Sequence, residues 1–146
     1  MRILILCTGN SCRSQMAEGF LASFDRRLSV HSAGTKPAQR VHPLAVHVMR
    51  EAGVDLSAHV PKAVSQFLDQ PFDYVVTVCD HAKETCPLFT GAVRHRLHVG
   101  YEDPAEATGS PDEVMDAFRR VRDGIRRDFH RLYTDMILPQ LDGGTP

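Results

Sequence analysis

The chain has almost no net charge and no long hydrophobic run. Lys and Arg together number 17 and Asp and Glu 18, so the formal net charge is −1. The composition therefore gives no general basic surface for nucleic acid or anionic lipid, and any affinity for an anion must be local. No apolar stretch approaches the roughly 20 residues that span a bilayer. We expect neither a nucleic-acid partner nor a membrane partner.

Targeting and repeat signals are equally scarce. Only four apolar residues separate Met1-Arg2 from Cys7, too few for the hydrophobic region of a secretory signal. The expectation is a cytoplasmic protein, where the four cysteines favour catalysis, redox cycling or metal binding over structural disulfides. The 146 residues contain no repeat, low-complexity block or linker, which predicts a single domain over 1–146.

Short apolar segments alternate with amphipathic ones along the chain. Strands are predicted at Ile3–Leu6, Leu28–His31 (closed by Ser32-Ala33-Gly34), Tyr74–Val78 and, at the sheet edge, Arg94–Leu97. Helices are predicted at 14–25, from Pro43 to a stop at Gly53, at 64–68, and after the capping sequence Ser110-Pro111-Asp112-Glu113. This alternation implies a parallel α/β sheet. Ligands of such sheets bind at the carboxyl ends of the strands, where Cys7 and Cys79 are both expected.

A thiol, a glycine-containing turn and an arginine follow the first strand, in the segment Cys7-Thr8-Gly9-Asn10-Ser11-Cys12-Arg13-Ser14. The N–H groups of such a loop and of the helix after it form a positively polarised nest for an oxyanion. Arg13 adds a planar cation that can hold two oxygens, and the same field stabilises the nucleophilic thiolate of Cys7. The alternative is a buried structural cysteine, but strand, turn, arginine and helix in combination favour the anion site. Cys12 is interpreted first as structural and second as an accidental oxidation partner of Cys7.

Two further thiols, Cys79 and Cys86, are seven residues apart. In a helix their Cα atoms would be separated by roughly 10.5 Å, beyond the about 4.4–6.8 Å that a disulfide allows. A disulfide would require the segment to unwind, and its polar sequence makes that cost small. The alternatives are two unrelated buried cysteines and a zinc site at Cys79, His81 and Cys86, although this spacing is not usual for structural zinc. We expect the eight histidines to be surface or core residues.

Asp103-Pro104 lies in a loop between the edge strand and the last helix. By itself the pair is a turn signal. Beside the Cys7–Arg13 loop, a carboxylic acid at Asp103 could protonate an oxygen leaving a tetrahedral centre. Pro104 biases Asp103 towards an extended backbone, which could aim its side chain.

Together these residues resemble the thioredoxin-coupled arsenate reductases, which share the fold of the low-molecular-weight protein tyrosine phosphatases. The similarity extends over nearly the whole chain and rests on residues 7–19, Ser32-Ala33-Gly34, Val75-Val76-Thr77-Val78-Cys79, Cys86-Pro87 and Asp103-Pro104-Ala105. The Cys-x5-Arg-Ser loop and the Asp-Pro pair are common to both groups, whereas Cys79 with Cys86 is typical of the reductases. The resemblance implies a three-layer α/β/α sandwich with a four-stranded parallel sheet.

The resemblance also implies a catalytic sequence. Arsenate would bind the loop formed by Thr8, Gly9, Asn10, Ser11, Cys12, Arg13 and Ser14. Cys7 would attack arsenic while Asp103 protonates the leaving oxygen. Cys79 would attack the sulfur of Cys7 and release arsenite, and Cys86 would then attack Cys79, leaving a disulfide for thioredoxin. Thioredoxin is the external reductant that the resemblance implies, while the sequence leaves glutaredoxin and other thiols as alternatives. No bound organic cofactor, no metal and a monomer are expected.

One position departs from the family pattern. Some members bind potassium through residues equivalent to Asn10, Glu18 and Ser32 together with an acidic residue that is Lys62 here. An ammonium group at that position would take the place of the cation beside Glu18, which predicts no dependence on potassium. The alternative is an exposed lysine with no special role.

Two other functions fit parts of the pattern. A phosphatase hydrolysing phosphate monoesters would use Cys7, Arg13 and Asp103, with Cys79 and Cys86 incidental. A non-enzymatic thiol sensor would capture arsenite without turnover. The sensor ranks last because it gives the anion loop and Asp103 no purpose.

Overall fold

Four parallel strands form the centre of the protein, in the order β2-β1-β3-β4. The strands are β1 (Arg2–Cys7), β2 (Ser29–Gly34), β3 (Phe72–Thr77) and β4 (Val93–His98). β1 pairs with both β2 and β3, and β4 pairs with β3 and forms an edge. The computed structural model describes residues 1–86 and 88–143. Pro87 of the Cys86-Pro87 pair and residues 144–146 of the predicted domain lie outside them.

The apolar run in β1 is explained by its position between two buried faces. Ile3 and Ile5 belong to the larger hydrophobic cluster, whereas Leu4 and Leu6 belong to the smaller one on the opposite face. Successive side chains of a strand point to opposite faces, so a strand covered on both sides has no polar position. The predicted buried central strand is confirmed.

Helices cover the larger cluster, and a thinner layer covers the other face. The helices are α1 (Arg13–Phe24), α2 (Pro43–Glu51), α3 (Pro111–Leu132) and α4 (Leu138–Leu141), and α1, α2 and α3 contribute side chains to the larger cluster. Phe67 of the 3₁₀ helix Val64–Phe67 packs with Phe72 and Phe89 on the opposite face. The predicted α/β fold with a four-stranded parallel sheet is confirmed.

The element boundaries differ in places from the predicted ones. β2 continues through Ser32-Ala33-Gly34, which were predicted to close it, because these residues pair with Ile5, Leu6 and Cys7 of β1. Segment 64–68 is a 3₁₀ helix over Val64–Phe67. The capping box at the start of α3 is confirmed, since Ser110 Oγ accepts from Glu113 N and Glu113 Oε1 accepts from Ser110 N.

A π-helical turn, Tyr133–Ile137, joins α3 to α4 and was not predicted. Across residues 1–86 and 88–143, the helices do not combine the length and apolar character needed to cross a bilayer.

Candidate active site

Cys7 is the last residue of β1, and its side chain lies under the loop that leads into α1. The residue is 2% exposed. Asn10 N approaches Cys7 Sγ at 3.3 Å, so at least one backbone N–H of the loop points at the sulfur. Asn10 has a φ of 51°, in the left-handed region that Asn tolerates better than most residues. This conformation turns the chain back over the thiol.

Backbone hydrogen bonds hold the loop with its carbonyl oxygens facing outward. Three of these oxygens accept from a segment outside the loop: Thr8 O from Lys36 N, Gly9 O from Ala38 N and Ser11 O from His42 N, each at 2.9 Å. In a trans peptide the C=O and the following N–H point in opposite directions. The N–H groups that come after these carbonyls therefore face into the loop, the arrangement that an oxyanion requires.

Gly34 allows this loop to lie close to β2. A Cβ at this position would collide with Thr8 O and would lie 3.1 Å from Asn10 N. Both atoms belong to the backbone, so a side chain could not be accommodated by a change of rotamer. The Ser32-Ala33-Gly34 segment thus has a steric role in shaping the loop.

The buried side chain of Asn10 fixes the loop through four hydrogen bonds. Its Nδ2 donates to Ser14 Oγ (2.7 Å) and Ser32 Oγ (2.9 Å), and its Oδ1 accepts from Gln15 Nε2 (3.0 Å) and Lys62 N (2.9 Å). These four partners satisfy both amide donors and both acceptor positions. A buried amide with all its hydrogen bonds made rigidifies its surroundings.

Ser14 connects this network to Cys7. Its hydroxyl oxygen accepts from Asn10 Nδ2, which leaves its own hydrogen free, and Cys7 Sγ lies 3.0 Å away. When Cys7 is a thiolate, Ser14 is the only possible donor in this contact. A hydrogen bond donated to a thiolate stabilises the charged, nucleophilic form.

Arg13 is the first residue of α1 and is almost completely buried, and its guanidinium contacts two carboxylates and a backbone carbonyl. Nη1 donates to Glu84 Oε1 and to Tyr101 O (3.1 Å), and Nη2 donates to Glu84 Oε2 at 3.3 Å. Asp103 Oδ2 lies 3.7 Å from Nη2. Burial alone would lower the pKa of Arg13, but the hydrogen bond to Glu84 and the nearby anionic groups raise it.

Asp103 lies where the sequence predicts it, beside the arginine. It caps the 3₁₀ helix Pro104–Glu106, since Asp103 Oδ1 accepts from Ala105 N at 3.0 Å. The other carboxylate oxygen faces Arg13. The structure thus brings Cys7, Arg13 and Asp103 together at the carboxyl edge of the sheet.

Cys79 and Cys86 form a disulfide with a Cα–Cα distance of 5.8 Å. Residues 79–86 form turns and bends rather than a helix, as the geometry of the bond requires. Cys79 is fully buried, whereas Cys86 is partly exposed. Cys79 follows β3 at the same edge as Cys7, because β1 and β3 are neighbours and Val78 N donates to Leu6 O at 3.0 Å.

Cys12 is a free, buried thiol within the loop. Burial raises its pKa to about 12, so it is a neutral thiol near pH 7. This agrees with its interpretation as a structural residue.

Lys62 lies beside Glu18, as predicted. Its Nζ is 3.9 Å from Glu18 Oε1, while Ser32 Oγ donates to the same oxygen at 2.7 Å and His59 Nδ1 lies 3.1 Å from Oε2. Burial alone would raise the pKa of Glu18, but hydrogen bonds from His59 and Ser32 and the charge of Lys62 lower it. An ammonium group thus neighbours the carboxylate below the loop.

Two histidines lie close to Cys86. The ligand atoms of His81, Cys86 and His98 are all within 4.8 Å of one another, and the two imidazole rings have centroids 3.8 Å apart. The sequence placed His81 near the cysteines but gave no sign of His98, which comes from β4. The sulfur of Cys86 is bonded to Cys79 here and is not a free thiolate ligand.

Sequence reasoning missed three residues that shape the site. The sequence places Glu84 only in a polar stretch, includes Gln15 in the family motif without a role, and predicts His59 only as a surface or core residue, yet each contacts the loop or its support. Gln15 and His59 share a contact, Gln15 Oε1 to His59 Nδ1 at 3.0 Å. Glu84 and His59 contact partners that are distant in sequence, so no local pattern could have identified these two residues.

Known proteins share both the sequence pattern and the fold. The chain matches the low molecular weight phosphotyrosine protein phosphatase family over residues 2–138. An arsenate reductase of Halalkalibacterium halodurans is 47% identical over 124 residues, covering 84% of this chain and 88% of that protein.

Solved structures agree with the sequence match. An arsenate reductase in its oxidized state has a TM-score of 0.76 at 27% identity, covering 91% of this chain and 96% of that one. A thioredoxin-dependent arsenate reductase of Corynebacterium glutamicum has a TM-score of 0.60 at 26% identity, covering 92% of this chain and 63% of that one. The chain therefore belongs to the low molecular weight phosphotyrosine protein phosphatase family, in which it groups with the arsenate reductases and is an enzyme.

Proposed function

We propose that this enzyme reduces arsenate to arsenite through a relay of three cysteines and is regenerated by thioredoxin. The observation that carries the proposal is the pairing of Cys79 with Cys86 beside a loop that already holds Cys7 and Arg13. A phosphatase needs the loop but has no use for a second pair of thiols at its rim. The names of the relatives support the same substrate.

The first step is addition of a thiol to arsenic. Arsenate lies in the loop with its oxygens held by inward N–H groups and by Arg13. The Cys7 thiolate, held by Ser14, attacks arsenic, and the hydroxyl group of arsenate leaves as water after Asp103 gives it a proton. The product is an arsenic–sulfur bond at Cys7 and one water molecule, with arsenic still in its pentavalent state.

The second step reduces arsenic. The Cys79 thiolate attacks the sulfur of Cys7, the S–As bond breaks, and arsenic leaves with the electron pair as arsenite. The two sulfurs are then oxidised to a Cys7–Cys79 disulfide. The adjacency of β1 and β3, which places both residues at one edge, supports this transfer.

The third step moves the disulfide outward. The Cys86 thiolate attacks Cys79, which frees Cys7 and leaves the Cys79–Cys86 bond found in the structure. A dithiol then returns two electrons. Thioredoxin is the proposed donor, in line with the name of one structural relative. The cycle needs no bound metal or organic cofactor, and it suits a monomer in the reducing cytoplasm.

Hydrolysis of phosphate monoesters is the second candidate. It is favoured by the family to which the chain belongs and by the Cys7, Arg13 and Asp103 geometry, which serves either anion. Water would then replace Cys79 as the group that resolves the Cys7 adduct.

Replacement of Cys86 by serine separates the two functions. With thioredoxin, thioredoxin reductase and NADPH, wild-type enzyme should consume NADPH only when arsenate is present. Cys86→Ser should stop after about one arsenite per enzyme and retain a Cys7–Cys79 disulfide, detectable by peptide mass spectrometry. Hydrolysis of para-nitrophenyl phosphate by the same variant should be unchanged. Thr85→Ala, a neighbouring exposed position, controls for disturbance of the loop.

Two results would contradict the proposal. One is no arsenate-dependent NADPH consumption by the wild-type enzyme. The other is multiple turnover by Cys86→Ser, because the relay leaves no other thiol at that position.

A further inference from the structure

The guanidinium that should bind the substrate is already occupied by a carboxylate of the same chain. Both terminal nitrogens of Arg13 donate to the two oxygens of Glu84, a fork-to-fork pair. Glu84 Oε2 also accepts from Thr8 Oγ1 at 3.1 Å, within the anion loop itself. A tetrahedral oxyanion bound to this loop needs the same donors, so the carboxylate and the substrate compete for them.

We propose that Glu84 is an internal competitor for the oxyanion site. Glu84 occupies the site while Cys79 and Cys86 form a disulfide, and it leaves the site when thioredoxin reduces that disulfide. The inference rests on the proposed function, in which that disulfide is the last state of each cycle. The juxtaposition that carries it is a carboxylate between two redox cysteines, seated in the fork of the substrate-binding arginine.

Glu84 lies in the ring of residues that the Cys79–Cys86 disulfide closes, and this position links the Arg13–Glu84 contact to the redox state of the two cysteines. Closing the ring between Cys79 and Cys86 restricts the conformations of the residues inside it. Further contacts orient the carboxylate there: Asp80 N donates to Glu84 Oε1 at 2.7 Å, and Glu84 N donates to Asp80 O at 2.9 Å. The carboxylate is thus held next to Arg13 at a high effective concentration, which opening of the ring lowers.

The charges around the site oppose a second anion. The cleft beside Arg13, about 450 Å³ in volume, is lined by Asp80, Lys83, Glu84, Glu102, Asp103, Glu106 and Ala107. Five of these seven residues carry carboxylates, so an arsenate dianion approaching by this cleft meets mainly negative charge. The negative charge of Glu84 neutralises the positive charge of Arg13, the buried cation that would otherwise attract the arsenate.

Closure in this state has a chemical consequence. After the third step Cys7 is again a free thiol, whereas Cys79 is still oxidised and cannot resolve a new adduct. Arsenate that entered then would form an arsenic–sulfur bond at Cys7 that the relay could not reduce. Occupation of Arg13 by Glu84 delays substrate entry until the reductant has acted.

Binding of inorganic phosphate to the two redox forms tests the proposal. Titration calorimetry would compare reduced protein with protein carrying the Cys79–Cys86 disulfide, the latter verified by peptide mass spectrometry. In the wild type, the disulfide form should bind phosphate about tenfold more weakly than the reduced form, because it must first break a charge-assisted pair. Glu84→Gln and Glu84→Ala should each remove most of this difference by strengthening binding to the disulfide form. Glu106→Gln, at an exposed position in the same cleft, should change it by less than about twofold.

Each other outcome refutes a specific part of the proposal. Equal phosphate affinity in the two wild-type forms removes the redox link. The specific role of Glu84 is refuted if the disulfide form of Glu84→Gln binds phosphate as weakly as the disulfide form of the wild type. It is also refuted if Glu106→Gln gains as much phosphate affinity as Glu84→Gln. Absence of phosphate binding in both wild-type forms removes the oxyanion site and the proposed function with it. Failure of arsenate-dependent NADPH consumption, with the Glu84→Gln effect intact, would refute the proposed function alone.

Discussion

Replacement of Lys62 by methionine tests whether a lysine takes the place of a bound cation beneath the anion loop. The ammonium lies 3.9 Å from the Glu18 carboxylate, and the two side chains are 25% and 13% exposed. At this distance two unit charges interact by about 1 kcal/mol in water and about 4 kcal/mol at an effective dielectric constant of about 20. Since the lysine is partly solvated and the separation exceeds a direct hydrogen bond, we expect about 1 kcal/mol.

The remaining contacts of Glu18 limit the effect to this size. Hydrogen bonds from His59 and Ser32 lower the pKa of Glu18 more than the charge of Lys62 does, and together these effects outweigh the rise that burial would cause. Lys62→Met therefore leaves Glu18 ionised at neutral pH but less stabilised. For a protein of this size, about 1 kcal/mol lowers the Tm by about 2–4 °C.

The lowered pKa of Glu18 determines the sign of the pH dependence. The stability that the ionised carboxylate contributes is present above its unfolded pKa and is lost as the pH falls through the lower folded value. The difference in Tm between wild type and Lys62→Met should therefore have its greatest value at pH 7. It should decrease as the pH falls below 4.5, the ordinary pKa of a glutamate. Differential scanning calorimetry across this range measures it.

Potassium provides the decisive comparison. The kcat/KM of the wild type for arsenate should be the same in potassium and sodium chloride at equal ionic strength, because Lys62 already neutralises Glu18. Lys62→Met should gain thermal stability from potassium, whereas Lys36→Met, at an exposed position, should not. A potassium-specific rise of more than about twofold in wild-type kcat/KM would refute the reasoning, since an occupied position has nothing to gain from the ion.

Three other substitutions test the loop. Ser14→Ala removes a hydrogen bond to Cys7 Sγ and should slow alkylation of Cys7 by iodoacetamide several-fold at pH 7, measured on the Cys7 peptide. An unchanged rate would contradict the role of the hydroxyl. Gly34→Ala pushes a methyl group against Thr8 O and should lower the free energy of unfolding by about 1–3 kcal/mol in urea titrations. Unaltered stability would show that the loop can move aside. Arg13→Lys cannot hold two oxygens and should weaken phosphate binding by the reduced enzyme at least about tenfold by calorimetry; retained affinity would mean that the backbone alone binds the anion.

The parts of the fold that could be predicted are those encoded by neighbouring residues. Ile3–Leu6 reads as a strand buried on both faces because four apolar residues stand together, and β1 is such a strand. The start of α3 could be predicted because Ser110 and Glu113 are three residues apart and cap one helix end. The end of β2 could not be predicted, because Ser32-Ala33-Gly34 is extended through pairing with β1 and, at Gly34, through a bridge to Ala63.

The same distinction between local and long-range contacts applies to the residues of the site. Cys7, Arg13 and Asp103 were identified from the motif in which they stand, and the structure brings them together. The contact between Glu84 and Arg13 spans 71 residues and depends on the path of the loop closed by the disulfide. A glutamate in a polar loop carries no local signal for such a contact, so only the folded arrangement could show it.

In both proposed functions the loop serves the first covalent step, with arsenate or with phosphate, so the second step would decide the reaction. A phosphorus–sulfur adduct at Cys7 can be resolved by water attacking phosphorus, because phosphorus keeps its oxidation state. An arsenic–sulfur adduct offers another route, because arsenic can depart with the bonding electrons when a thiolate attacks the sulfur. In the function proposed above, Cys79 is the thiol that takes this route, because it lies at the end of the strand next to β1. On that proposal, the residues that bind the anion do not select between reduction and hydrolysis. The proposed selection comes from a sulfur directly after β3, the strand that pairs with the one carrying Cys7.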